Sequence, residues 1–151
     1  MKNDNRDYYD KFPSVLKSKL YNSEVIFKDD VKFEYEQFYA FRVVIREDND
    51  FTPVNANDMK SYFELGKVPR GCSKEMVENN AEYYAISLFL SVDSLKQCFN
   101  FPRPTKKLAK GSIKMENGPY QEGKNSHISW WLYENAKFDD FSLIERGELY
   151  E

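Results

Sequence analysis

The chain has one histidine, His127, and two cysteines, Cys72 and Cys98, and each scarcity excludes something. The cysteines lack metal-ligand spacing, and a single histidine does not complete a zinc set with them, so no metal is expected. Isolated as they are, both thiols are expected to be reduced. No apolar run approaches the roughly 18 residues that a membrane-spanning helix needs, so a membrane is not an expected partner. The first residues, Met1-Lys2-Asn3-Asp4-Asn5-Arg6-Asp7, are polar and no apolar signal region follows them, which makes the cytoplasm the expected location. An excess of basic charge is also missing. Lys and Arg number 22 against 25 Asp and Glu, a net charge of −3, which argues against a nucleic-acid backbone as the main partner. There is no internal repeat, no low-complexity linker and no Gly-x-Ser-x-Gly arrangement, so a serine-hydrolase nucleophile has no support.

What is abundant is aromatic. Phe, Tyr and Trp make up 17% of the chain within a hydrophobic share of 41%, so the core gains burial from Phe and Tyr more than from aliphatic side chains. At 151 residues the chain fits one domain, 1–151, able to bury a core without disulfides or metals.

Tyr8, Tyr9, Phe12, Val15, Leu16 and Leu20 recur three to four apart, which predicts a peripheral helical segment over 1–20, interrupted at Pro13. The β-branched and aromatic run from Gln37 to Arg46 predicts the clearest strand. Asn55 or Asn57 caps a predicted short helix through Met59, Tyr62, Phe63 and Leu65, which Gly66 stops, and Ser73 to Val77 suits one helical turn. The nearly continuous apolar run Tyr83 to Leu90 reads as a strand buried on both faces. A helix carrying Leu95, Cys98 and Phe99 is expected after it, ending before Pro102. Lys106, Lys107 and Lys110 lead into a strand at Leu108–Met115, two turns set off a strand around His127, and Phe141 to Glu145 closes the sheet. The expected class is α+β: a mixed or mainly antiparallel sheet of about five or six strands with a few short helices.

The candidate chemistry gathers at Ser126-His127-Ile128-Ser129-Trp130-Trp131-Leu132-Tyr133, which holds the histidine and both tryptophans. Strand alternation puts Ile128, Trp130 and Leu132 on a core face, and His127, Ser129, Trp131 and Tyr133 on the other. The second set either grips a planar ring while His127 hydrogen-bonds it, or forms a second core face covered by a helix. Arg42 interrupts an apolar strand, where a charge must be paired, presented to a carboxylate or phosphate, or turned to solvent. Ser87 lies at a strand-to-helix junction, where a hydroxyl caps the helix or assists an anion site. Glu116, Glu122, Glu134 and Glu145 lie near turns or strand ends, each a general base or a solvated surface residue.

At Tyr39–Arg42, at Ile86-Ser87-Leu88-Phe89-Leu90-Ser91 with the helix after it, and in the later strands, the chain resembles the ADP-ribosyltransferase-like fold over about half its length. The resemblance implies NAD as cofactor, with Arg42 contacting its pyrophosphate, Ser87 on the central strand, and Glu145 or Glu122 as the late acid that stabilises a ribosyl cation. On that reading His127 would join the same cleft, although it sits late, where that group carries its acid, and Trp131 or Tyr133 would stack on a ring of the nucleotide. The chain departs from that group in having no Ser-Thr-Ser triplet and no Glu-x-Glu or Gln-x-Glu before a late strand. Its composition is also similar to that of the small, Lys- and Asn-rich accessory proteins of bacterial and phage conflict systems. Two functions of different class follow. The first is a nucleotide-binding, ADP-ribosyltransferase-like toxin or effector. The second is a non-catalytic protein-binding module, an immunity protein, antitoxin or inhibitor, whose anchors are tyrosine and tryptophan.

Overall fold

A computed structural model describes residues 6–47, 49–93 and 106–144. Six strands form one sheet in the order β4-β5-β2-β1-β3-β6, and every registered pair is antiparallel. They are β1 (Phe38–Ile45), β2 (Ile86–Phe89), β3 (Lys106–Ile113), β4 (Tyr120–Glu122), β5 (His127–Trp130) and β6 (Ser142–Ile144). With four short helices among the described residues, α1 (Arg6–Tyr9), α2 (Ser14–Tyr21), α3 (Tyr62–Leu65) and α4 (Lys74–Glu78), this is the α+β architecture expected from the sequence.

Local chemistry explains most boundaries. Pro13 separates α1 from α2, because it has no N–H to extend the first helix but suits the start of the second. The single helix expected across Asn55 to Leu65 divides in two. Asn55 caps a 3-10 turn at Ala56–Asp58, and Ser61 then caps α3, each with a reciprocal side-chain bond from the residue three positions on. Gly66, left-handed at φ 69°, ends α3 as expected. Ser73 caps α4.

Three boundaries differ from the sequence reading. Tyr83 and Tyr84 form a 3-10 turn capped by Asn80 rather than the head of a strand, so β2 begins only at Ile86. β3 begins at Lys106, because Ile45 and Val44 continue the ladder opposite Lys106 and Lys107. β4 was not expected at all. Three residues carry no usable periodicity, and Tyr120–Glu122 is a strand only because β5 pairs along it.

The core lies on both sides of the sheet. Ala40, Val44, Ile86, Leu88, Ile128 and Trp130 share one buried cluster with Phe141, as strand alternation requires. Trp131 and Tyr133 belong to a second cluster with Phe12, Leu16 and Leu20, so α2 covers the sheet's other face at that end. A third, smaller cluster of Phe89 and Leu108, with Phe41, Val43 and Ile144 packed against it, lies toward β1 and β3.

Candidate functional site

The β4–β5 connection presents the histidine. Asn125 and Ser126 are both left-handed, at φ 56° and 63°, and the Gly123 N–H bonds the His127 carbonyl at 2.8 Å. Consecutive left-handed residues match the twist of the strands they join, and Asn tolerates that conformation better than most. His127 then stands opposite Phe89, and Ser129 opposite Ser87. The imidazole reaches diagonally, with Nε2 3.0 Å from the Ser87 hydroxyl oxygen, while the Phe89 ring lies edge-on at 5.3 Å. With the ring proton on Nδ1, Nε2 accepts from that hydroxyl, the arrangement of a base beside a nucleophile. Burial pushes the His127 pKa below its usual value, with the Glu82 carboxylate opposing, so the neutral ring is favoured.

Beside this pair, the buried Ser129 hydroxyl donates to Glu82 Oε2 at 2.8 Å. Glu82 comes from the 3-10 turn that precedes β2. Ser129 belongs to the strip that strand alternation predicts with His127, whereas Glu82 carries no signal in the sequence: its partner is 47 residues away and no motif spans the two.

Arg42 meets the same serine from another direction. Its Nε donates to the Asp58 carbonyl at 2.8 Å and its Nη1 to the Ser87 carbonyl at 2.7 Å. The reason is a gap in the sheet. Phe41 opposite Phe89 is the one registered pair between β1 and β2, and the guanidinium bridges the strands beyond it. By alternation Arg42 shares the face of Ala40 and Val44, whereas the Ser87 hydroxyl and His127 share the face of Phe89. Burial pulls the Arg42 pKa down to about 10, against the opposing pull of Asp58. Thus Ser87 joins both residues, through its carbonyl to Arg42 and through its hydroxyl to His127.

Arg46, two positions further along that face, is 6% exposed and carries no role in the sequence reading. It forks onto Asp58, with Nη2 2.7 Å from Oδ2 and Nε 3.2 Å from Oδ1, and also bonds Thr52 and Pro53 carbonyls. Asp58 therefore holds Arg42 with its carbonyl and Arg46 with its carboxylate, tying the 52–58 loop to β1.

Trp131 and Tyr133 lie inside the protein. Trp131 is 1% exposed, its indole N–H donates to the Ala81 carbonyl at 2.7 Å, and Phe27 packs edge-on against it. Tyr133 is 5% exposed and packs on Phe12. In this conformation neither ring offers a face to a nucleotide. Of the two readings of the strip, the lower half is the covered core face, while His127 with Ser129 stays beside the partly open Ser87. Glu145, Cys98 and the helix expected at Leu95–Phe99 lie outside the described residues. Glu116, Glu122 and Glu134 are exposed. Among the described residues no three His, Cys, Asp or Glu side chains gather as a metal ion would require, and no helix is long and apolar enough to cross a membrane.

The same face of the sheet continues across β1 and β3, where Phe41, Val43 and Leu108 belong to the small third cluster and Tyr39 and Ile45 lie open on either side of it. Tyr39, Phe41, Val43 and Ile45 alternate along it, opposite Ser112, Lys110, Leu108 and Lys106. Tyr39 is 62% exposed and Ile45 72%. Lys110 Nζ sits 5.1 Å from the centre of the Tyr39 ring and 5.7 Å from that of Phe41, within cation–π range. Compared with protein-family models, with curated proteins and with solved structures, the chain matches none.

Proposed function

We propose that this chain is a non-catalytic protein-binding domain that offers the outer face of β1 and β3 to an acidic protein surface. The carrying observation is Tyr39, a large aromatic left 62% exposed beneath a lysine ammonium at the centre of a sheet. Tyrosine brings much contact area at little entropic cost and dominates interface hot spots. The charged side chain beside Tyr39 on that face is Lys110, in a chain whose net charge is −3. Such a local field selects an acidic partner and speeds its encounter. The test is affinity purification followed by titration with the recovered partner. One acidic protein, bound in fixed stoichiometry, should lose affinity by about tenfold or more on Tyr39→Ala and on Lys110→Glu. Retained affinity in both variants, or association with single-stranded nucleic acid alone, defeats the reading.

A second reading has its own observation, the 3.0 Å contact between the exposed Ser87 and the half-buried His127 across two interior strands of the sheet. There the hydroxyl–imidazole pair would bind a nucleotide such as NAD, with Arg42 acting through the Ser87 backbone rather than on the pyrophosphate. NAD should then raise the melting temperature of the wild type and not of His127→Ala or Ser87→Ala. An equal response in all three proteins removes this reading.

A further inference from the structure

Asparagine precedes glycine at one place in the chain, Asn117-Gly118. In a free chain that pair is chemically unstable. Glycine has no Cβ, so its backbone nitrogen swings readily onto the neighbouring side-chain carbonyl carbon. The new N–Cγ bond closes a cyclic imide and expels the side-chain nitrogen as ammonia, which takes the proton from the glycine nitrogen. Water then opens the ring to an aspartyl or an isoaspartyl link.

The fold holds every polar atom of this pair. Asn117 ends the 3-10 turn Met115–Asn117 and is 7% exposed. Its amide clasps the backbone of Lys137, with Nδ2 donating to the carbonyl at 3.0 Å and Oδ1 accepting the N–H at 3.1 Å. The attacking nitrogen is held as well, since the Gly118 N–H donates to the Met115 carbonyl at 3.2 Å. The Asn117 carbonyl accepts the Tyr133 N–H at 2.8 Å, and the Gly118 carbonyl accepts Tyr35 and Trp130. Ring closure makes Cγ tetrahedral and takes the proton from the glycine nitrogen. The clasp on Lys137 and the Met115 bond are therefore lost in the same step.

Neither product fits the position it leaves. An aspartate turns a charged oxygen toward the Lys137 carbonyl in a buried site, where two acceptors face each other. An isoaspartyl link adds a methylene to the backbone next to Gly118, where even a Cβ would lie 1.8 Å from the Trp131 carbonyl oxygen. The pair is kept because the backbone there, at φ 141°, has room for glycine alone, and because asparagine is a short side chain that supplies a donor and an acceptor together.

We infer that Asn117-Gly118 is a latent modification site. It is sealed while the protein is folded and converts to aspartyl or isoaspartyl once the turn at 115–118 opens, after which the chain does not regain this fold. Covalent chemistry of the opened chain then sets the working lifetime of the protein. The site stands apart from the β1–β3 surface and from the Ser87–His127 pair, and depends on neither reading of function.

The experiment incubates the full chain folded and in guanidinium chloride, at the same mildly alkaline pH and temperature, followed by digestion with trypsin. The peptide from Met115 to Lys124 has Asn117 as its one asparagine, so its mass reports this site. Conversion should be about a hundredfold or more faster in the unfolded chain, because the folded chain reacts only through rare openings. Unfolded Asn117→Gln, whose longer side chain does not close the same ring, should leave the peptide unconverted, and that control requires no folding. On removal of denaturant, the near-ultraviolet signal should return only in proportion to the unconverted fraction, measured against a sample refolded before conversion. Asn117→Asp, which installs the aspartyl product directly, should melt well below the wild type or not fold. Comparable rates in the two states, no conversion in the unfolded chain, converted chains that recover the native spectrum, or an Asn117→Asp chain as stable as wild type overturns the inference.

Discussion

His127 and Ser87 bond diagonally across β5 and β2, Nε2 to hydroxyl oxygen at 3.0 Å, although neither faces the other in the strand register. The contact arises because Phe89 fills the position directly opposite His127 and turns the imidazole toward the small side chain two residues away. Burial there holds the imidazole pKa below its unfolded value, so the folded state resists protonation.

That depression has a definite sign. A folded-state pKa lowered below 6.5 means that the unfolded chain takes the proton more readily, so this contribution to stability is complete above about pH 6.5 and declines as pH falls toward the folded value. His127 is the only histidine, so its ring resonances report the titration without ambiguity. The midpoint should lie below 6.5, and His127→Gln should flatten the stability profile between about pH 5 and 7. A midpoint at or above 6.5 contradicts the assignment.

Asp58 should be the most sensitive carboxylate. Its partner Arg46 is 6% exposed, and removing Asp58 breaks a bidentate pair and leaves that charge to the more exposed Asp50, at 3.3 Å, and to backbone carbonyls. Asp58→Ala is expected to cost about 3 kcal/mol in urea unfolding, the lower end for a broken buried pair because Asp50 remains. The Lys74–Glu78 pair is a contrast, 4.0 Å apart with the lysine 74% exposed. Glu78→Gln should change stability by less than about 0.5 kcal/mol.

Gly118 should tolerate nothing larger. Its φ is 141°, and a Cβ built there would lie 1.8 Å from the Trp131 carbonyl oxygen. Its own carbonyl accepts both the Tyr35 hydroxyl at 2.5 Å and the Trp130 indole N–H at 3.1 Å, so moving the backbone breaks both bonds. Gly118→Ala should lose about 3 kcal/mol or more. Gly66→Ala, left-handed but with nothing within 4 Å, should lose about 1 kcal/mol. Thermal melts of the two variants decide whether close approach, rather than conformation alone, sets the difference.

Tyr133→Phe should stabilise the protein by about 1 kcal/mol, because it deletes a buried hydroxyl that has no partner and keeps the ring packed on Phe12. Chemical denaturation measures this directly. A loss of comparable size would mean that the hydroxyl is satisfied.

Where a feature depends on neighbours along the chain, the sequence contained it. Alternation from His127 to Tyr133 separated Ile128 and Trp130 from Trp131 and Tyr133, and the structure puts the two sets in different clusters. Pro13, Asn55, Gly66 and Ser73 marked ends that the backbone obeys, since each acts on hydrogen bonds within a few residues of itself. β4 escaped notice because three residues have no period of their own.

Tertiary structure alone decided what those residues do. Whether Trp131 lies open to a ring or closed beneath a helix depends on Phe12, Leu16 and Phe27, more than a hundred positions away. Arg42 reads the same in sequence whether it faces phosphate or backbone; the parting of β1 and β2 is what turns it to the Ser87 carbonyl. Glu82 with Ser129, and Asp58 with two arginines, are pairings between segments brought together by packing, and no local preference encodes them. The chain by itself determined which faces its strands have. Burial and long-range hydrogen bonds, which are sums over distant contacts, determined which of those faces remain available.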